Sequence, residues 1–303
     1  MTVAKLHPNE VDINAALVQQ LLHQQAPAWA HQSLTLVDSA GTDHVLYMLG
    51  ADTVVRLPRI DWADDQAARE SAWLPVIAPF LPVAVPQPVF LGTPTNAYPW
   101  HWSIYRWLPG DDALTSPPID ERAAAHTLAS IVAGMRRVPP TGGMRRGSRG
   151  GTLQSRHDDT CAALHALTPL GLIDTSHAAL LWQRWVAEPV TNDAAVWLHS
   201  DIHRGNLLVV DGNISALIDF GGLTLGDPAV DLTVAWSMLS EPARTVFAEQ
   251  LAVDPAQWRR GQAWALSIAL IQLPYYHTNN PVLAATALRT INAIFAATER
   301  GES

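Results

Sequence analysis

The chain of 303 residues contains one cysteine, Cys161, and one lysine, Lys5. A single cysteine excludes an intramolecular disulfide framework and fits a reducing compartment. Cys161 falls in a helical pattern and reads as a small buried hydrophobe. With lysine nearly absent, arginine supplies 18 of the 19 basic residues. The net charge of −9 argues against a nucleic-acid-binding surface and permits a cationic ligand. The N-terminus lacks a basic segment followed by an apolar run, so no signal peptide is read. A long stretch without a formal charge, Gly261 to Leu288, has a purely apolar part of only Ala263 to Ile271, interrupted by one Ser. That is too short for a bilayer, which needs about 20 residues. No repeat of 20–50 residues is seen. These absences give the expectation of a cytoplasmic protein with neither a membrane nor a nucleic acid as partner.

What is present is a core. Hydrophobic residues make up 48% of the chain, enough to bury a sizeable interior in one or two domains. Residues 11–24 carry Val11, Ala15, Val18 and Leu22 at helical spacing. Residues 34–37, 45–49 and 53–57 read as short strands, joined by turns at 38–43 and 50–52. A helix is expected over 64–78, with Ala67, Glu70, Trp73, Leu74 and Ile77 on one stripe. Strands follow at 85–92 and 102–108, and Pro109-Gly110 breaks the chain. Beyond it the patterns are helical: 119–138, 155–167, 176–188, 227–240, 241–251, 255–273 and 281–297. Residues 139–151 hold five Gly, two Pro and three Arg and read as a loop rather than as an anion contact. Residues 275–280 read as a loop between the last two helices.

The most informative stretch runs from Val196 to Leu232. Two apolar runs, Leu207 to Val210 and Ile214 to Ile218, flank Asp211-Gly212-Asn213, a strong hairpin signal. His199, Asp201, His203 and Asn206 precede the hairpin and Asp219 follows it, so a hairpin carries both polar clusters to one edge. Phosphoryl transfer needs a carboxylate to take or orient the acceptor proton and oxygen ligands for Mg2+. Asp201 is the candidate base, and Asn206, five residues later, and Asp219 are the candidate metal ligands. Asp219-Phe220-Gly221 supplies a second metal element.

His199-Ser200-Asp201-Ile202-His203-Arg204-Gly205-Asn206, Ile218-Asp219-Phe220-Gly221 and Gly226-Asp227-Pro228-Ala229-Val230-Asp231-Leu232 closely resemble the aminoglycoside phosphotransferase family. The resemblance covers most of the chain, and Ser200 stands where that family usually has Gly. It implies an α+β, protein-kinase-like, two-lobed fold. Residues 1–108 would form a small β-rich nucleotide-binding lobe with a leading helix, and 109–303 a larger, mostly helical lobe. It also implies ATP or GTP as donor, Mg2+ as cofactor, and a small hydroxylated acceptor that the acidic charge allows to be cationic. In such a fold the loop holding Ser39 and Gly41 covers the phosphates, and Tyr105, Arg106, Trp107 and Leu108 occupy the hinge that meets the base. Arg56 lies where a phosphate-binding Lys is usual, with Arg59 as the neighbouring candidate. Glu70 falls on the apolar side of its helix and needs a partner, which the resemblance supplies as Arg56. Asp227 reads equally as a helix N-cap or as a residue of the catalytic site, and Asp231 as support for the loop.

Two other readings are open. His199, Asp201 and His203 alternate, so they could ligate a metal in a hydrolase, though this leaves Asn206 and Asp219-Phe220-Gly221 unexplained. A nucleotide-binding protein without turnover would fit the missing Lys and Ser200. A protein kinase fits less well, because no Ala-Pro-Glu segment follows Asp219.

Overall fold

A computed structural model describes residues 10–37, 43–142, 148–189 and 193–301. The chain divides into two compact units. The first comprises Met1–Pro79, Val83–Asp111 and Ser215–Gly221; the second comprises Phe80–Pro82, Asp112–Ile214 and Gly222–Ser303.

The first unit is built on an antiparallel sheet of order β1-β2-β3-β5-β4. Its strands are β1 (Leu34–Leu36), β2 (His44–Leu49), β3 (Thr53–Pro58), β4 (Pro88–Gly92) and β5 (Trp102–Arg106). The β2–β3 register pairs Leu46 with Arg56 and Tyr47 with Val55. In β2 Val45, Tyr47 and Leu49 are buried and alternate with half-buried residues, the period-2 pattern of a strand with one covered face. Helix α1 (Ala15–Gln25) starts later than its apolar spacing suggests, because Asn14 caps it by accepting the Leu17 N–H at 3.0 Å. Its Val18, Leu21 and Leu22 join Val55, Leu57, Trp102 and Ile104 in one core. Helix α2 (Gln66–Ile77) buries Gln66, Ala67, Glu70, Leu74 and Ile77.

The two strands expected at 85–92 and 102–108 are shorter at the outer ends, β4 starting at Pro88 and β5 ending at Arg106. Trp107 leaves the ladder, its N–H donating to Asp52 O at 2.9 Å.

The second unit is mostly helical. It holds α3 (Glu121–Arg137), α4 (His157–Leu167), α5 (Thr175–Val186), α6 (Thr233–Met238), α7 (Glu241–Leu251), α8 (Pro255–Tyr276) and α9 (Pro281–Glu299). Asp120, Asp174, Asp254 and Asn280 cap α3, α5, α8 and α9 through side-chain bonds to backbone N–H groups, each satisfying donors the first helical turn cannot. Helix α8 is the axis of this unit and packs on α4, α5, α6 and α9. It continues through Pro274 to Tyr276, so the loop expected from 275 begins at His277. Helix α9 is long and apolar enough to cross a membrane by length and composition, and it lays Ala284, Ala287, Ile291, Ile294 and Ala297 into this core.

Between α5 and α6 come β7 (Val196–Leu198), β8 (Leu207–Val210), β9 (Asn213–Leu217), which runs on into the first unit, and β10 (Thr224–Gly226). A two-residue strand, β6 (Asp111–Asp112), precedes α3. Asp211 and Gly212 both have positive φ, as a type I′ turn between β8 and β9 requires. The helix expected over 227–240 shrinks to α6. Asp227 accepts the Ala229 N–H at 2.9 Å and a 3-10 turn at Val230–Leu232 intervenes.

Cys161 is exposed, against the expectation of burial. The buried face of α4 is Thr160, Ala163, Leu164 and Leu167, and Cys161 projects beside it, with Sγ 3.7 Å from His157 Nε2.

In the first sheet Gly92 stands opposite Trp102. A Cβ at Gly92 would lie 2.1 Å from the ring of the fully buried Trp102. Gly92→Ala should therefore destabilise the protein by about 1–3 kcal/mol through overpacking. A urea unfolding midpoint equal to that of the parent would contradict this packing.

Candidate functional site

Two polar clusters hold the residues singled out by sequence, one in each unit. The first is built around Glu70, a carboxylate with no exposed surface. A buried carboxylate needs hydrogen bonds and a counter-charge. Arg56, on β3, supplies the charge. Its Nη1 donates to Glu70 Oε1 at 2.9 Å and Oε2 at 3.0 Å. Gln66 Nε2 donates to Oε1 at 2.8 Å, and the Tyr105 hydroxyl donates to Oε2.

The second arm of Arg56 reaches a different partner, Nη2 donating to Asp219 Oδ1 at 2.7 Å. Gln66 Nε2 donates to the same oxygen at 3.0 Å. A guanidinium carries donors on separate nitrogens, so one side chain spans two carboxylates, which a single ammonium does less well. Burial alone would lower the Arg56 pKa, but Glu70 and Asp219 outweigh it and hold the guanidinium charged. Nη2 also lies 3.4 Å from His44 Nδ1. Burial, together with the charge of Arg56, holds His44 well below its ordinary value.

Asp219 has φ 61°, left-handed for a non-glycine residue, which turns the chain toward this cluster. Gly221 follows, and a Cβ there would meet the Gln66 amide at 2.7 Å. Arg69 donates to Gly221 O at 3.1 Å. Arg59, the alternative to Arg56, points elsewhere: it is buried and pairs with Glu10 at 3.2 Å.

The hinge residues divide by role. Tyr105 is buried and spends its hydroxyl on Glu70. Arg106 is exposed and its Nη1 donates to Asp52 at 2.6 Å. Trp107 is exposed and Leu108 half-buried. Ser39 and Gly41 lie outside the described residues.

The second cluster is built around Asp231, also buried. Its two oxygens accept consecutive backbone N–H groups, from His199 at 2.9 Å and Ser200 at 2.7 Å. Burial pushes this carboxyl above its ordinary range, against the pull of His199 and those two bonds. The chain then turns at Ser200, φ 65°, and presents Asp201. Asn206 Nδ2 donates to Asp201 O at 3.0 Å, which ties the two ends of the loop together. His199 Nδ1 accepts the Asp201 N–H at 3.3 Å, and His203 Nδ1 accepts the Gly205 N–H at 3.0 Å. Both imidazoles thus brace the loop backbone. Among the described residues no group of three or more His, Cys, Asp or Glu is arranged to hold a metal ion.

Arg149 Nη1 donates to Asp201 Oδ1 and, at 3.1 Å, to Ser200 O. Burial would raise the Asp201 carboxyl, yet Arg149 and His203 overcome it and hold it far below the usual carboxylate range. The basic loop that composition marked as turn-forming therefore contributes a side chain to this cluster. Sequence gave three arginines there without distinguishing them. It gave no sign of Gln66 beyond its position one turn before Glu70.

The model of the phosphotransferase enzyme family (APH) matches residues 36–264. Comparison with curated proteins gives no match. Solved structures are similar over nearly the whole chain. The GDP and kanamycin complex of an APH(2″) enzyme aligns at TM-score 0.71 and 18% identity, covering 92% of this chain and 98% of that one. A macrolide 2′-phosphotransferase type I aligns at 0.64 and 19%, covering 91% and 97%. The streptomycin–ATP ternary complex of APH(2″)-IIa aligns at 0.61 and 15%, covering 88% and 91%. These similarities establish an α+β, protein-kinase-like fold.

Ser200 adopts a backbone conformation that favours glycine, and its hydroxyl donates to Gly222 O at 2.7 Å. The side chain thus offsets the strain of its own Cβ. Ser200→Ala should keep the strain and strand the carbonyl, losing about 1–3 kcal/mol. Ser200→Gly relieves roughly 1–2 kcal/mol of left-handed strain and should lose much less. Equal losses in denaturant titrations would contradict this.

Proposed function

The chain belongs to the phosphotransferase enzyme family, and from that premise we propose that it is a small-molecule kinase moving the γ-phosphoryl group of ATP or GTP to an acceptor hydroxyl. The observation that carries this reading is the loop from His199 to Asn206. Five of its groups are fixed by hydrogen bonds to leave one carboxylate, Asp201, 32% exposed at its side chain. GDP and ATP in similar structures support a nucleoside triphosphate donor. Kanamycin, streptomycin and the macrolide named in the similar structures support a small hydroxylated acceptor.

In this reading Asp201 orients the acceptor hydroxyl and takes its proton as the oxygen bonds to the γ-phosphorus. Arg56 is the cation for the phosphates, aligned by Glu70. Mg2+ is the expected metal, and the donor set suits it. The Asn206 amide nitrogen is committed to the Asp201 carbonyl, which leaves its Oδ1 as the ligating atom. Asp219 adds a carboxylate that is 44% exposed, and both are hard oxygen donors. When bound, Mg2+ would neutralise charge on the phosphates. The two histidines serve the loop backbone, which favours this reading over a hydrolase that uses them as ligands.

The test is Asp201→Asn, assayed with Mg2+, ATP and GTP against a panel of hydroxylated antibiotics and metabolites. The variant should fold and bind nucleotide as the parent does, and lose roughly 10²–10⁴ in phosphoryl transfer. Turnover close to the parent's would remove Asp201 from the mechanism. Nucleotide binding without turnover of any acceptor by the parent would favour the non-catalytic reading.

A further inference from the structure

Arg149 stands at the centre of a short turn, Ser148–Gly150, that is fastened to β10. A Cβ on Gly150 would lie 2.8 Å from Leu225 O, and a Cβ on Gly226 would lie 2.5 Å from Gly150 Cα. Glycine at both positions lets the two backbones meet this closely. Strand β10 pairs in turn with β7, Gly226 opposite Val196 and Thr224 opposite Leu198. Strand β7 runs straight into His199 and Asp201. The turn and the catalytic loop are therefore held in one framework, and the reach of Arg149 to Asp201 is set by that framework.

The contact itself is specific. One nitrogen, Nη1, donates both to Ser200 O and to Asp201 Oδ1. The other carboxylate oxygen faces Asn206 Nδ2 at 3.5 Å and His203 Nε2 at 3.7 Å. Both oxygens of the base are thus engaged by the chain's own groups, although about a third of its side-chain surface is open to solvent.

We propose that Arg149 is the positioning residue that makes Asp201 discriminate between an acceptor hydroxyl and water, by occupying the carboxylate oxygen until an acceptor displaces it. The proposal rests on the assignment of Asp201 as the base. Hydrolysis of the donor is the same displacement with water as nucleophile. The water oxygen bonds to the γ-phosphorus, the bond from phosphorus to the leaving oxygen of the diphosphate breaks, and a water proton passes to Asp201. The products are phosphate and the nucleoside diphosphate. A charge-assisted bond from a guanidinium is roughly twice as strong as a neutral one, so a water molecule competes poorly for Oδ1. An acceptor brings further contacts, and its binding energy can be spent on moving the arginine aside. The residue thus protects the donor while the acceptor is absent.

The experiment measures phosphate release from ATP and from GTP by the full chain with Mg2+ and no acceptor. Arg149→Ala should raise kcat for hydrolysis about tenfold, the effect of roughly 1.4 kcal/mol on the barrier, with the nucleotide KM little changed. A merely structural defect would lower the rate. Arg149→Lys should stay near the parent rate, and Arg149→Ala combined with Asp201→Asn should lose the gain. The proposal is overturned if Arg149→Ala hydrolyses no faster than the parent, or if the double variant keeps the gain. Should Arg149→Ala fail to fold, Arg149→Gln, which preserves length but not charge, must show the same direction of change. A drop in hydrolysis in Asp201→Asn without a gain in Arg149→Ala overturns this proposal alone. Unchanged hydrolysis in Asp201→Asn overturns the base assignment and this proposal together.

Discussion

A carboxylate with no exposed surface sets the terms for the first unit. Glu70 cannot be buried in that position without hydrogen-bond partners, and the polar side chains that contact it answer that constraint. Arg56 comes from the sheet, Tyr105 from the next strand, Gln66 from the preceding turn of the same helix. Removing one member of a buried pair of this kind typically destabilises by about 3–5 kcal/mol. Because Arg56 has two arms, the same residue that neutralises Glu70 also holds Asp219. The scarcity of lysine is consistent with this design, since the fork does what one ammonium would do less well.

The second unit meets a similar problem without a direct side-chain cation. Asp231 is buried and is satisfied by two consecutive backbone N–H groups. This bond pair fixes the chain where it must turn through a left-handed residue, and Ser200 repays part of that strain through its hydroxyl. The result is a loop whose backbone is braced at His199, Ser200, Asp201, Gly205 and Asn206. Its one outward carboxylate is met by Arg149.

Much of this was legible in the sequence because it depended on local rules. The Asp211-Gly212 turn has the conformation its residues predict, and the spacing of Asp201 and Asn206 is realised as a closed loop. Glu70 on an apolar stripe announced a buried charge, and Arg56 was the partner the resemblance supplied. Most of the misses are long-range. Gln66 and Tyr105 became ligands of Glu70 through packing that no period reveals. Asp227 read as a helix cap or as a site residue; it accepts the Ala229 N–H and pairs with Arg260 of α8 at 3.0 Å, a contact no local pattern signals, and helix α6 begins only at Thr233. Cys161 was assigned to a buried face that lies one residue away. Arg149 belonged to a loop whose composition describes its turns and not its contacts.

The central claim is that Arg56 and Glu70 act as one unit that presents a single fixed cation to the donor phosphates. The direct measurement is a double-mutant cycle on nucleotide KM and kcat, using Arg56→Ala, Glu70→Ala and their combination, with Arg56→Lys as a control. Arg56→Ala should raise KM and lower kcat together, because it removes both binding and alignment. Arg56→Lys should keep more activity than Arg56→Ala, and Glu70→Ala should give a milder form of the same defect. The combined variant should fall short of additivity by about 0.5–3 kcal/mol, the range for residues in direct contact. Unchanged KM and kcat in Arg56→Ala, or strictly additive losses in the double variant, would contradict the account.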